Sequence, residues 1–283
     1  MVDVDEQDAA GRRRTAVPPR RRRVQRVPAA LLLPAALGLG FLVLPLAGLV
    51  IRAPWATLPQ RLTEPGVFTA LRLSLQTATF ATVACVVVGV PLAWLLARVE
   101  FPGRRLVRAL VTVPLVLPPV VGGVALLLVF GRRGIVGGWL YATFGVSLPF
   151  TTMGVVVAEA FVAMPFLVIA VEGALRGADT RYEEAAATLG AGRWTTFTHV
   201  TVPLVAPGIA AGAVLCWARA LGEFGATITF AGNYPGITQT MPLAVYQTIE
   251  GGDLPGAVVL SLILLVVSVT ILAALRDKWI SSA

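Results

Sequence analysis

Residues 180–203 read Thr180-Arg181-Tyr182-Glu183-Glu184-Ala185-Ala186-Ala187-Thr188-Leu189-Gly190, then Ala191-Gly192-Arg193-Trp194, and close on Val200-Thr201-Val202-Pro203. A short helix is written into the first part. Thr180 has the chemistry of an N-cap, and Glu183 three residues on completes a capping box. Tyr182, Ala185, Ala186 and Leu189 recur at helical spacing and share a face, with Glu184 and Thr188 on the other. Gly190 falls where such a helix ends. A second short element, Arg193 to Val200, follows before Pro203 and Pro207. A helix lying flat on a membrane usually carries bulky apolar anchors. Ala185, Ala186 and Gly190 instead allow another surface to come close, as in helix-in-groove recognition.

What flanks this stretch fixes the class of the molecule. Residues 149–172 and 208–230 are apolar on nearly every face, and so are 29–51, 69–96, 109–130 and 256–275. Each is long enough for a membrane crossing, and only a helix satisfies its own backbone in lipid. The 283 residues are 57% hydrophobic and 13% charged, with a mean hydropathy of +0.81. That excludes an ordinary soluble enzyme, which needs more polar surface, and a disordered chain, which is poor in apolar residues. The first run is too long for a signal core and has no small-x-small site after it, so it reads as a retained span. The expectation is an all-α transmembrane protein of six helices, with residues 1–28 a disordered basic tail and 29–283 the membrane domain.

The net charge of +8 suggests nucleic acid only until its distribution is read. Eight arginines lie within residues 12–26, and most of the others lie at the edges of apolar runs. With the N-terminus inside, seventeen basic residues fall on the inner side and five on the outer. This bias places both termini in the cytoplasm. The adjacent Arg132 and Arg133 are the main dissent. Cys85 and Cys216 have no disulfide or metal spacing. The single His199 leaves no histidine cluster and no Ser-His-Asp triad.

The loop motif carries a resemblance. Glu184-Ala185-Ala186, three residues, Gly190, nine residues, Val200, one residue and Val202-Pro203 resemble the EAA loop of ABC importer permeases, with Val200 and Val202 as mild departures. The resemblance implies the type I importer fold, a homodimer, and a loop that docks on separate cytoplasmic ABC ATPase subunits through Glu183, Glu184, Ala185, Ala186, Gly190 and Pro203. It also implies that ATP and Mg are bound by that partner, with no cofactor in this chain, and that an extracytoplasmic oxyanion-binding protein delivers the cargo. Ala70 to Leu75 and Pro91-Leu92-Ala93 fit the same permease core. Leu115 to Pro119, Phe130-Gly131-Arg132-Arg133-Gly134, Arg219 to Thr227, and Thr240 to Tyr246 are similar to the molybdate permease subunit. Sulfate permeases share much of the Arg219–Thr227 motif. The expected place is the bacterial plasma membrane, with no nucleic-acid partner.

Within the spans, Arg219 and Glu223 are four apart and able to pair, and Glu159 lies in span four. Ionisable groups at this depth face a bundle interior or a wet cavity. Two readings stand: a helix–helix ion pair without substrate role, or a pathway or gate lining of Arg219, Glu223 and Thr227 that touches an oxyanion weakly. The hydroxyls of Thr227 and Thr229 could contribute, though they read more readily as packing or back-bonding groups. No G-x-x-x-x-G-K-[ST] loop is present. Gly122-Gly123 and Gly137-Gly138 read as close-packing sites. An ion-coupled secondary transporter is the alternative from another class, but no half-to-half repeat supports it. A membrane-embedded enzyme lacks a catalytic constellation.

Overall fold

The computed structural model describes residues 29–280, so the basic tail lies outside the described residues. The chain divides after Gly48 into two units, and the site lies wholly in the second. The helices are α1 (Ala29–Ile51), α2 (Leu58–Leu62), α3 (Pro65–Arg98), α4 (Arg104–Val116), α5 (Pro119–Phe130), α6 (Ile135–Phe144) and α7 (Thr152–Gly177). They continue as α8 (Arg181–Thr188), α9 (Arg193–Thr196), α10 (Val202–Leu221), α11 (Gly225–Phe230), α12 (Met241–Glu250) and α13 (Leu254–Ile280), with a π-helical turn at Phe197–Thr201 between α9 and α10. Among the described residues there is no strand. Five helical stretches are long and apolar enough to cross a membrane, and α4 with α5 adds a sixth if the bent pair is one span.

Two spans differ from their reading in the sequence. Residues 109–130 are not one straight helix: the chain bends by 119° between α4 and α5. Leu117 and Pro118 are extended, with ψ near 130°. Two consecutive prolines are the cause, since each pushes the residue before it out of the helical region. The fifth span is displaced as well. It begins at Arg193 and ends at Leu221, because the element expected at 193–200 runs through the π turn into α10. Residues 225–230 form a separate short helix beyond a break.

The helix α7 is the axis of packing. Ala163, Leu167, Val168 and Val171 are wholly buried in it and covered by α3 and α10, while Ala158 is buried against α5 and α11. The α3 face turned to α7 is built from small residues (Ala78, Ala81 and Ala93 are fully buried), so the backbones approach closely, as membrane helices do where lipid gives little hydrophobic drive. Thr77 meets Glu159 and Gly89 meets Leu167, so α3 and α7 run in the same direction. Gly208 lies against Ala174, and Gly212 against Ala170 and Leu167, so α10 runs the opposite way. The α5–α11 contact is also close: a Cβ on Gly123 would stand 2.7 Å from Cβ of Thr229 and 2.8 Å from the Ala226 carbonyl. That bears out the close-packing reading of this glycine.

This arrangement gives the bundle two distinct ends. One gathers the C-termini of α3 and α7, the N-terminus of α10 and the loop 178–201. The other gathers the N-termini of α3 and α7, where Thr152 Oγ1 donates to the Ile237 carbonyl at 2.9 Å and Ser74 Oγ accepts from Met241 N at 2.7 Å.

Candidate functional site

The loop helix α8 forms where the sequence places it, but its start differs. Thr180 is in helical conformation and makes no cap bond to the backbone. Its Oγ1 instead donates to Glu184 Oε1 at 3.3 Å. The capping box fails because Glu183 has stronger partners. Its Oε1 accepts from Arg98 Nη2 at 3.2 Å and from Thr201 Oγ1 at 3.1 Å. Charge-assisted bonds of this kind exceed a neutral cap bond. One carboxylate on α8 thus holds both the last turn of α3 and the π turn that leads into α10.

At its other end α8 closes as anticipated. Gly190 takes φ +83°. The Gly190 N–H donates to the Ala187 carbonyl and the Ala191 N–H to the Ala186 carbonyl, both at 3.0 Å. This is the paired bond pattern of a Schellman stop. Ala186 is half-buried and Ala185 exposed. Tyr182, Leu189 and Trp194 are 59%, 88% and 75% exposed. The loop therefore turns Glu183 and Ala186 inward and sets three large apolar side chains outward. Pro203 stands at the start of α10, two residues after the π turn.

Behind α8 lies a cleft of about 610 Å³ lined by Arg98, Arg193, Phe197, Thr201 and their neighbours. Phe197 meets Trp94 edge-on at 5.6 Å and Trp194 at 5.8 Å, so the π turn is pinned to the end of α3 on one side. A second tie lies alongside. Glu172 Oε1 of α7 accepts from Arg108 Nη2 and Arg176 Nη2, both at 2.7 Å. Arg104 Nε donates to the Leu96 carbonyl at 2.9 Å, satisfying an otherwise orphaned helix end. Arg98, Arg104, Arg108 and Arg176 are among the inner-side arginines of the charge bias, which says nothing of Glu172 or of the ties they make. The four-residue spacing of Glu172 and Arg176 was a visible signal for one pair. No sequence signal brings Arg108 to them.

The intramembrane set assembles at the break between α10 and α11. Arg219 Nη2 and Glu223 Oε2 are 2.6 Å apart, the Glu223 side chain being 1% exposed. The pair forms as its spacing suggests, but Glu223 stands beyond the end of α10. Its other oxygen accepts from the Ala226 N–H at 2.8 Å, so the same carboxylate starts α11. Thr227 is fully buried and its Oγ1 has no partner among the described residues. Thr229 Oγ1 back-bonds to the Gly225 carbonyl at 2.8 Å. Glu159, 1% exposed, accepts from Thr77 Oγ1 at 2.9 Å, and its second oxygen has no partner. The structure does not join the two candidate sets: from Val202 to Arg219 along α10 is about 25 Å at 1.5 Å per residue. Among the described residues no three metal-ligating side chains converge.

Comparison with known proteins sharpens the picture. The profile of the family described as "binding-protein-dependent transport system inner membrane component" matches residues 89–282. The chain is 50% identical over 237 residues to the molybdenum transport system permease protein ModB of Mycobacterium tuberculosis, covering 83% of this chain and 89% of that one. It is 44% identical over 222 residues to ModB of Escherichia coli K12, covering 78% and 95%. The sulfate transport system permease protein CysT of the same organism is 38% identical over 238 residues, covering 83% and 86%. Among solved structures, a bacterial ABC transporter involved in the import of alginate matches with a TM-score of 0.72 at 18% identity, over 88% of this chain and 93% of that one. At that identity the likeness is one of fold.

Proposed function

We propose, from the premise that the chain belongs to the family of binding-protein-dependent transport system inner membrane components, that it is the membrane-spanning subunit of an ATP-driven molybdate importer. It works as a homodimer in the bacterial plasma membrane with both termini in the cytoplasm. ABC ATPase subunits bind ATP and Mg and dock on α8, and an oxyanion-binding protein delivers cargo at the opposite end. Tungstate is accommodated as the same shape and charge. The closer likeness to the molybdenum permeases than to the sulfate permease supports molybdate over sulfate.

One observation carries the coupling role. The face of α8 turned away from the bundle is exposed and sets Tyr182 and, just past its end, Leu189 beside Arg181 and Glu184, while the inward Glu183 grips α3 and the root of α10 together. A push on the outer face is thereby delivered to two spans at once. The π turn is the compliant segment, since an irregular turn inside a helix commonly serves as a hinge. At the far end of α10 the Arg219–Glu223 pair holds the break that starts α11. Arg219 is 27% exposed, and a guanidinium largely neutralised by a carboxylate offers an oxyanion weak contact, which suits passage and release. Thr227, in the first turn of α11, is buried, and its hydroxyl has no partner among the described residues.

The test is uptake of labelled molybdate by proteoliposomes holding the whole transporter, with sulfate as competitor. ATP-dependent uptake that sulfate leaves intact is expected. Full competition by sulfate overturns the cargo, and uptake driven by an ion gradient without ATP overturns the class. In the same vesicles Glu183→Ala is expected to keep the ATPase bound while uncoupling its turnover from transport.

A further inference from the structure

Arg132 and Arg133 take no part in the machinery above. They occupy the turn between α5 and α6, at the end of the bundle remote from α8. A basic pair there opposes the charge bias of the rest of the chain, so a local reason is needed. Both side chains are exposed. Arg132 holds its guanidinium over the Tyr141 ring, 4.9 Å from the centroid, and donates from Nε to Ser147 Oγ at 3.3 Å. Arg133 makes no bond or ion pair among the described residues.

The two arginines edge a cleft of about 670 Å³ whose lining includes no carboxylate. The rest of the cleft is mostly apolar: Leu127, Leu128, Pro149 and Phe150. Phe150 adopts φ +62°, a conformation that bulky residues rarely hold and that tends to mark functional positions. Its ring is fixed edge-on to Tyr234 at 6.1 Å. The neighbouring α6 sets Trp139, Tyr141 and Phe144 outward, at 58%, 46% and 63% exposure. Exposed aromatic rings of this kind gather at the level of lipid headgroups.

We propose that this cleft binds an anionic phospholipid. The headgroup phosphodiester lies between the Arg132 and Arg133 guanidiniums, and the upper acyl chain lies along Leu127, Leu128 and Phe150. Forked guanidinium donors match a phosphate oxyanion. The apolar floor distinguishes a lipid from a free anion, because a small inorganic dianion gains nothing from four hydrocarbon side chains and loses hydration against them. The site stands on its own geometry and does not depend on the transported species.

The full-length chain, delipidated in detergent, is titrated separately with phosphatidylglycerol and phosphatidylcholine, and bound lipid is counted by native mass spectrometry. Phosphatidylglycerol is expected to bind more tightly. Arg133→Gln should weaken it about fivefold and the Arg132→Gln, Arg133→Gln pair roughly thirtyfold, bringing it to the level of phosphatidylcholine. Equal binding of phosphatidylglycerol by wild type and both variants overturns the proposal. So does displacement of the lipid by inorganic phosphate at equal concentration, which makes the cleft a free-anion site. Should the double variant melt early without lipid, Arg133→Gln alone decides, since that side chain leaves no broken contact behind.

Discussion

Single atoms at Gly190 and Glu223 set the terms for their surroundings. Gly190 is the C′ residue of α8 and sits in left-handed space, where a Cβ costs about 1–2 kcal/mol. Gly190→Val is expected to lower the fraction of permease that captures its ATPase in co-purification, while Gly190→Asn, whose side chain tolerates that conformation, retains most of it. Capture by the valine variant equal to that of wild type removes α8 from the docking surface. Glu223 serves two structures with two oxygens. Glu223→Ala leaves Arg219 unpaired in the membrane and α11 without its first bond, so a loss of about 3–5 kcal/mol is expected. Adding Arg219→Ala should restore part of it, read as a partial recovery of melting temperature in detergent. The Arg219–Glu223 pairing was legible in the sequence because both groups lie on one stretch of chain. The role of Glu223 in starting α11 was not, because nothing in the composition shows that the helix stops at Leu221.

Helix boundaries follow rules that hydropathy does not contain. An apolar run reports that a segment lies in lipid, and it reports that equally for a straight helix and for one folded at 119°. Pro118 and Pro119 held the information for the bend, but prolines at 45, 91 and 165 lie inside continuous helices. Context decides between those outcomes. The EAA motif was legible as a unit because its spacing is local. Its anchorage was not, since Arg98 is 85 residues from Glu183. The π turn gives the most direct test at this scale. Removing Thr198 should convert it to plain α-helix, because a π turn takes up one extra residue, and so stiffen the link from α9 into α10 while the flanking faces keep their register. Transport-linked ATP turnover is expected to fall to the background of the uncoupled ATPase while the chain still inserts in the membrane. Preserved coupling refutes the hinge.

Across the molecule, cohesion is distributed unevenly between the two ends. At the end remote from α8, Arg61 and Asp253 pair bidentately at 2.5 and 3.2 Å and tie α2 to the turn before α13. The Arg61 guanidinium, and then the Gly256 N–H, hold the Asp253 carboxyl below the usual aspartate range. A carboxyl lowered in the folded state contributes stability that is present above its ordinary value and lost as pH falls through the lowered one. Wild type minus Asp253→Asn should therefore show a positive melting-temperature difference at neutral pH that shrinks below about pH 3.9. A difference that stays constant through acid breaks the assignment. The end bearing α8 is held by arginines gripping Glu172 and Glu183, and it leaves Tyr182, Leu189 and Trp194 uncovered. Large apolar groups on a soluble face are what cellular triage reads as damage. If an ATPase docks there as proposed, it covers that patch, and a subunit made without its partner is expected to be cleared faster than one made with it.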